Sequence, residues 1–342
     1  MEIDRLPASV ATVYAELLEL SLLHERVVGI EGQLPGGVVA KSIRGRRYLY
    51  WQVRKGGQVV QRYIGPDSEE LRRTLDGIAE RRIESAEQRG TTDRLAAMLI
   101  RGGALREQPG VAAVLALLAD LGLFRRGAVV VGTQAFRTYG GMLGVKLPSA
   151  SLRTQDIDGA HSIDVAVAAA PEGAPDAEGL LARLGFLAVP GLDPREASTS
   201  LKVRGGELRL DFVTPSRRRA AEAPVPVPGL GVSAWPLRFL DYLIEEPVPA
   251  MVLAARSILV RVPRPGRFAL HELLTAAERP AAEQTKAGKD RAQAAALIAV
   301  LAGDRPDDLR EALGALDVRP TARRRVAREL NRLPADHRDW LG

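Results

Sequence analysis

VVVGTQAF (residues 129–136), TQDIDGAHSIDVAVA (154–168) and LRLDFV (208–213) decide the fold of this 342-residue chain. Each is an apolar run of strand character, and the first turns at Gly132-Thr133 into a helix expected over 134–143. In Asp156-Ile157-Asp158 a strand's period of two puts both carboxylates on one face. In LRLDFV, Leu208, Leu210 and Phe212 share the apolar side, so Asp211 projects from the other. Three acids on neighbouring strands repel one another unless cations sit among them. This is the arrangement that holds two magnesium ions about 3.5–4 Å apart for in-line phosphoryl chemistry. A strand that ends in glycine and enters a helix supplies the complementary half. The glycine lets the backbone approach a phosphate, while the first helical N–H groups and the Thr133 hydroxyl donate to its oxygens.

Strand and helix signals alternate from about 106 to 222, with a hairpin 201–204/207–213 turned at Gly205-Gly206, which predicts an α/β core with a mixed sheet. Upstream, apolar spacings over 5–25 predict an amphipathic helix. GGVVAKSIRGRRYLYWQVRKGGQVVQRYIG (36–65) then predicts a three-stranded antiparallel meander with turns at Arg44-Gly45-Arg46 and Lys55-Gly56-Gly57. Lys41, Arg44, Arg46, Arg47, Arg54, Lys55 and Arg62 accompany Tyr48, Tyr50, Trp51 and Tyr63 there, a composition that grips a phosphate backbone while stacking on bases. The same pattern also suits a small sheet whose alternate aromatics form its core and whose charges are a solvated rim. Ser68 followed by Glu69 and Glu70 caps a long charged helix running to about Arg101. Downstream, AEAPVPVPGLG (221–231) reads as a linker, followed by a helix over 236–245, a short strand pair and four helices, the last of them basic. The expected domains are 1–105 (helix, basic meander and helical connector), 106–222 (catalytic core) and 223–342 (mainly helical).

Composition narrows the chemistry. The absence of cysteine excludes disulfide frameworks, zinc ribbons, thiol nucleophiles and iron–sulfur clusters, and four histidines leave little for a zinc site. The longest apolar runs, such as 294–302, fall short of the ~20 residues a membrane span needs, so no membrane partner is expected. The opening MEIDRLPASV carries acids before any apolar run, unlike a secretory signal, and a cytoplasmic location is expected. A net charge of +6 suits a polyanionic partner.

With these motifs in view, the chain resembles the nucleotidyltransferase superfamily related to DNA polymerase β, and within it a bacterial branch. The likeness rests on Gly132-Thr133, the TxDID run 154–158, Asp211, a VPxPxRFALH segment (262–271) and a KAxKDxxQA helix (286–294). The resemblance implies that Asp156 and Asp158 bind both Mg2+ (or Mn2+) ions, and that Asp211 completes one metal site and helps to activate the attacking hydroxyl. Gly132 and Thr133 would hold the triphosphate with Lys286 and Lys289, Lys289 being the better placed. The superfamily's glycine is more often followed by Ser or Gly, and its first aspartate follows sooner than the 22 residues between Thr133 and Asp156. On residue chemistry alone, His271 and Asp164 read as packing or structural residues. Arg137 and Tyr139 read equally as pocket lining or helix surface, and Arg153 as a balance for the acids.

The expected reaction is transfer of a nucleoside monophosphate from an NTP to a hydroxyl acceptor. The meander and the basic C-terminal helix favour RNA, tRNA included, as that acceptor. Three alternatives use the same residues differently: a non-catalytic nucleic-acid-binding protein, a small-molecule or protein nucleotidyltransferase, and a metal-dependent phosphohydrolase.

Overall fold

The computed structural model describes residues 3–28, 37–55, 58–148, 163–168, 185–189, 198–203, 208–216, 223–227 and 232–337. The chain falls into two compact units, Glu19–Arg94 and the combination of Met1–Leu18 with Leu95–Gly342. The architecture is the mixed α/β one expected from sequence, with a mixed sheet, a helical C-terminal region and an N-terminal three-stranded antiparallel sheet.

Helix α1 (Ala8–Val28) leads to β1 (Gly37–Ile43), β2 (Arg46–Lys55), β3 (Gln58–Pro66) and α2 (Glu69–Arg101). The meander of the smaller unit has β2 at its centre. Its first turn is two residues long, Arg44 at φ +51° and Gly45 at φ +76°, the left-handed pair that matches the twist of a tight hairpin. The register pairs Lys41 with Tyr48, Val39 with Tyr50 and Tyr50 with Tyr63, while Val38 and Arg62 flank Trp51. Strand alternation therefore divides the four aromatic residues: Tyr48, Tyr50 and Tyr63 share one face, and Trp51 lies on the other with Arg47, Leu49 and Arg62.

The larger unit continues with α3 (Pro109–Asp120), β4 (Val129–Val131), α4 (Gly132–Leu143), β5 (Ile163–Ala168), β6 (Phe186–Ala188), β7 (Ser200–Val203) and β8 (Leu208–Pro215). Pro109 sits in the first turn of α3, where its missing N–H costs nothing, and Val111, Leu115 and Leu118 form its buried stripe. The sheet order is β4-β5-β8-β10-β9, where β9 is Val225–Val227 and β10 is Val232–Leu237; β7 pairs with β6 and with the first half of β8. β5, β8 and β10 run parallel, and β4 and β9 antiparallel to their neighbours. The helix expected over 236–245 is thus a strand followed by the short α5 (Leu240–Ile244), and the expected linker contains an edge strand. The edge position accommodates Pro226, whose ring cannot donate to a second neighbour.

The hairpin β11 (Val248–Val252)/β12 (Ile258–Val262) precedes α6 (Pro265–Glu278), α7 (Gln284–Asp304), α8 (Pro306–Gly314) and α9 (Pro320–Leu330). One continuous hydrophobic core runs from Val111 of α3, through the sheet, to Leu330 of α9. Among the described residues no helix is long and apolar enough to cross a membrane.

Candidate active site

β4 delivers three buried valines to the sheet and stops at Gly132, whose φ of +64° is a conformation that L side chains rarely adopt. A Cβ built on Gly132 would meet open space within 4 Å, so the glycine leaves a cradle at the start of α4. The residue before it, Val131, is extended and offers no side-chain cap to the helix N–H groups. Into this turn reaches Lys289 of α7, whose Nζ donates to Thr133 Oγ1 at 2.7 Å across 156 residues of sequence. Two motifs far apart in the sequence thus converge. Lys286, one turn earlier on α7, is exposed.

Asp211 lies in β8 between Leu210 and Phe212, which are fully buried, and projects from the opposite face, where its side chain is 27% exposed. It pairs with Ala166 of β5, which pairs in turn with Val131, the residue before Gly132. Two strand spacings, about 10 Å, therefore separate the backbones of Asp211 and the β4 terminus. Ser200 of β7 donates its hydroxyl to Asp211 Oδ1, and Arg209 Nε donates to the same oxygen at 2.8 Å while its Nη2 donates to Ser200 Oγ at 2.7 Å. The carboxylate is fixed through one oxygen, and among the described residues no donor reaches the other. Asp156 and Asp158, like Arg153, lie outside the described residues, and among those described no three metal-ligating side chains converge. Arg209 was within reach of sequence analysis, since it stands two residues from Asp211 on one strand face. Ser200 was not, because its role depends on the β7–β8 register.

Behind Lys289 lies a buried ionic cluster that the sequence did not reveal. Asp290 accepts from Arg279 Nε at 2.5 Å, and Arg279 Nη1 donates to Glu283 at 2.8 Å. Burial and the adjacent Asp290 carboxylate push Glu272 of α6 up to about 8, against the pull of Lys289 and Arg279. Arg291, a sequence neighbour of Asp290, pairs instead with Glu329. His271 is packed against Thr275, and burial pushes its imidazole down to about 4, consistent with the structural reading. Tyr139 is fully buried, donates to the Pro263 carbonyl at 2.8 Å and meets Phe268 edge-on. Arg137 pairs with buried Glu107 at 2.7 Å. Both are thus engaged in packing or pairing on α4. A cavity of about 530 Å³ opens at the far end of α4, beside Gly144, Arg264 and Arg305, and includes none of Gly132, Thr133, Asp211 or Lys289.

A mixed sheet thus carries a glycine-threonine turn into a helix, a lysine on that turn and an anchored strand aspartate. The family model for nucleotidyltransferases matches residues 110–316, more than half of the chain, and the chain belongs to that family. Nucleotidyl transfer is therefore its general activity and an NTP its donor substrate. A second model, a domain of unknown function (DUF6788), matches residues 12–73. No curated protein and no solved structure matches the chain.

Proposed function

We propose that this enzyme uses Mg2+ or Mn2+ to transfer a nucleoside monophosphate from an NTP to a hydroxyl of RNA, tRNA included, and that it represents the bacterial branch with GT, TxDID and KAxKD motifs. The observation that carries the proposal is the Lys289–Thr133 contact at the uncapped start of α4, which gathers an ammonium, a hydroxyl and backbone N–H groups on one anion-sized spot. In this assignment that spot holds the β- and γ-phosphates, with Lys286 as a second cation, and steadies the pyrophosphate as it leaves. Residues 106–222 are the catalytic core in this division, and 223–342 lend it the lysines.

Asp211, with Asp156 and Asp158, supplies hard carboxylate oxygens, the donor set that suits Mg2+ or Mn2+, and the Asp211 oxygen that no donor reaches among the described residues fits that role. A bound metal would polarise the α-phosphoryl group and lower the pKa of the acceptor hydroxyl. The chain's own contribution is positional: Ser200 and Arg209 lock the Asp211 rotamer, and Thr133 and Lys289 set the triphosphate so that its α-phosphorus faces the incoming hydroxyl. The hydroxyl gives up its proton to the Asp211 carboxylate or to solvent, its oxygen attacks that phosphorus, the bond to the bridging oxygen breaks, and pyrophosphate departs.

The test is incubation of the full chain with each α-labelled NTP, Mg2+ or Mn2+, and total RNA. Labelled RNA with stoichiometric pyrophosphate is expected, and D211N should abolish it while triphosphate binding in the absence of metal persists. Release of labelled monophosphate alone would make the protein a phosphohydrolase. Triphosphate binding with neither product would leave a non-catalytic nucleic-acid-binding protein.

A further inference from the structure

We infer that the tyrosine face of the β1–β2–β3 meander is a binding site for single-stranded RNA, with Tyr50 and Tyr63 stacking on unpaired bases and Lys41 and Arg46 contacting the adjoining phosphates. The inference rests on RNA being the acceptor, and assigns a distinct part of the chain to holding it. The rings of Tyr48, Tyr50 and Tyr63 gather on one face: Tyr63 lies 5.5 Å from Tyr50, nearly edge-on, and 6.1 Å from Tyr48. Lys41 Nζ stands 5.2 Å from the centre of the Tyr50 ring. Tyr63 is 53% exposed, although a sheet this small has every reason to bury an aromatic ring. Leu49, which is buried, lies on the opposite face of β2, so the tyrosines are not the core of the sheet.

Charge separates this surface from the other basic element. Residues 37–66 contain seven Lys and Arg and no Asp or Glu. Arg47 reaches Asp67, beyond β3, at 3.2 Å. By contrast, arginines in and around α9 are engaged within the protein: Arg319 with Asp241, Arg323 with Asp317, Arg325 with Glu278 and Arg332 with Glu329. A phosphate chain approaching α9 competes with these pairs, whereas one approaching the meander meets cations without intervening acids. Duplex RNA hides its base faces, so exposed rings gain nothing from it; unpaired bases offer a π-face to each ring.

The experiment is an anisotropy titration of the full chain, without metal or triphosphate, against one labelled unstructured RNA 20-mer, its duplex and the same sequence as DNA. The single-stranded RNA should bind more tightly than either alternative. Y50A and Y63A should each weaken it about tenfold, with Y50F and Y63F binding like the unmodified chain. K41A should lower the slope of log affinity against log salt by about one. Tyr63 lies exposed on an edge strand, so Y63A tests the site even if Y50A fails to fold. Unchanged binding by Y63A, or equal binding of duplex, overturns the inference, and tighter binding of DNA overturns its assignment to RNA. Because no catalysis is read, RNA binding without transfer and transfer to another acceptor without RNA binding remain distinct results.

Discussion

Replacing Glu272 by glutamine tests the buried cluster behind the Gly132-Thr133 turn, and pH is the variable that exposes it. In the fold, burial and Asp290 hold the carboxyl neutral up to about 8, whereas in the unfolded chain it ionises near its ordinary 4.5. Between those values the unfolded state binds fewer protons than the native one, so stability is complete below the lower value and is lost as pH rises through the upper. The shift from 4.5 to about 8 sets a ceiling of ~5 kcal/mol on that loss, and relaxation around the coupled Asp290 brings roughly half of it within expectation. The substituted amide keeps the shape of the carboxyl and cannot ionise. Thermal melts of the two proteins should therefore nearly coincide at pH 5, with E272Q melting several degrees higher at pH 9, about 2–4 °C per kcal/mol for a unit of this size. Triphosphate affinity should follow, because an ionised Glu272 competes with Thr133 for the Lys289 ammonium; above pH 8 it should fall more steeply in the unmodified chain than in E272Q. Melting temperatures of the two proteins that stay parallel from pH 5 to 9 would refute the assignment of a neutral, buried Glu272.

Three further substitutions probe other links of the structure. K289M should weaken NTP binding tenfold or more in a fluorescence titration, with K286M doing less, because Lys289 donates directly to Thr133; the reverse order would refute the placing of Lys289 on the triphosphate. G266A should destabilise the protein by about 1–3 kcal/mol in denaturant melts, since the added Cβ would stand 2.5 Å from the Asp308 carbonyl oxygen where α6 meets α8; an unchanged midpoint would contradict that packing. R137M should cost about 3–5 kcal/mol by leaving Glu107 buried without its partner, and the added change E107Q should recover most of the loss.

What was legible in the sequence was whatever depends on local period. Leu210, Asp211 and Phe212 announce their two faces by alternation, and Arg44-Gly45 announces its turn. Strand β9 was hidden because Pro226 sits in a proline-rich run that imitates a linker, and β10 because its end at Pro236 imitates the start of a helix; only the neighbouring β8 makes extended chain worthwhile there. The meander's residues were all visible, but their division between faces required the pairing register. At the candidate site Gly132, Thr133 and Lys289 were each nameable, and the family resemblance alone, not any local period, assigned them to one triphosphate. Nothing local marks Glu272 either: its altered acidity arises from burial and from Asp290, eighteen positions away. Asp156 and Asp158 stand on the sequence pattern alone.

The hydrogen bond from Lys289 to Thr133 closes a loop of 156 residues, and this sets a time as well as a place. During synthesis β4 and the turn at Gly132 leave the ribosome long before α7 does. At roughly 5–20 residues per second, the interval is on the order of ten seconds. Until α7 has emerged and docked, the nascent chain carries the glycine cradle without its lysine. The Lys289–Thr133 contact is thus a late event of folding, and under the proposed assignment a growing polypeptide still tethered beside messenger and transfer RNA would hold NTP less firmly than the finished one.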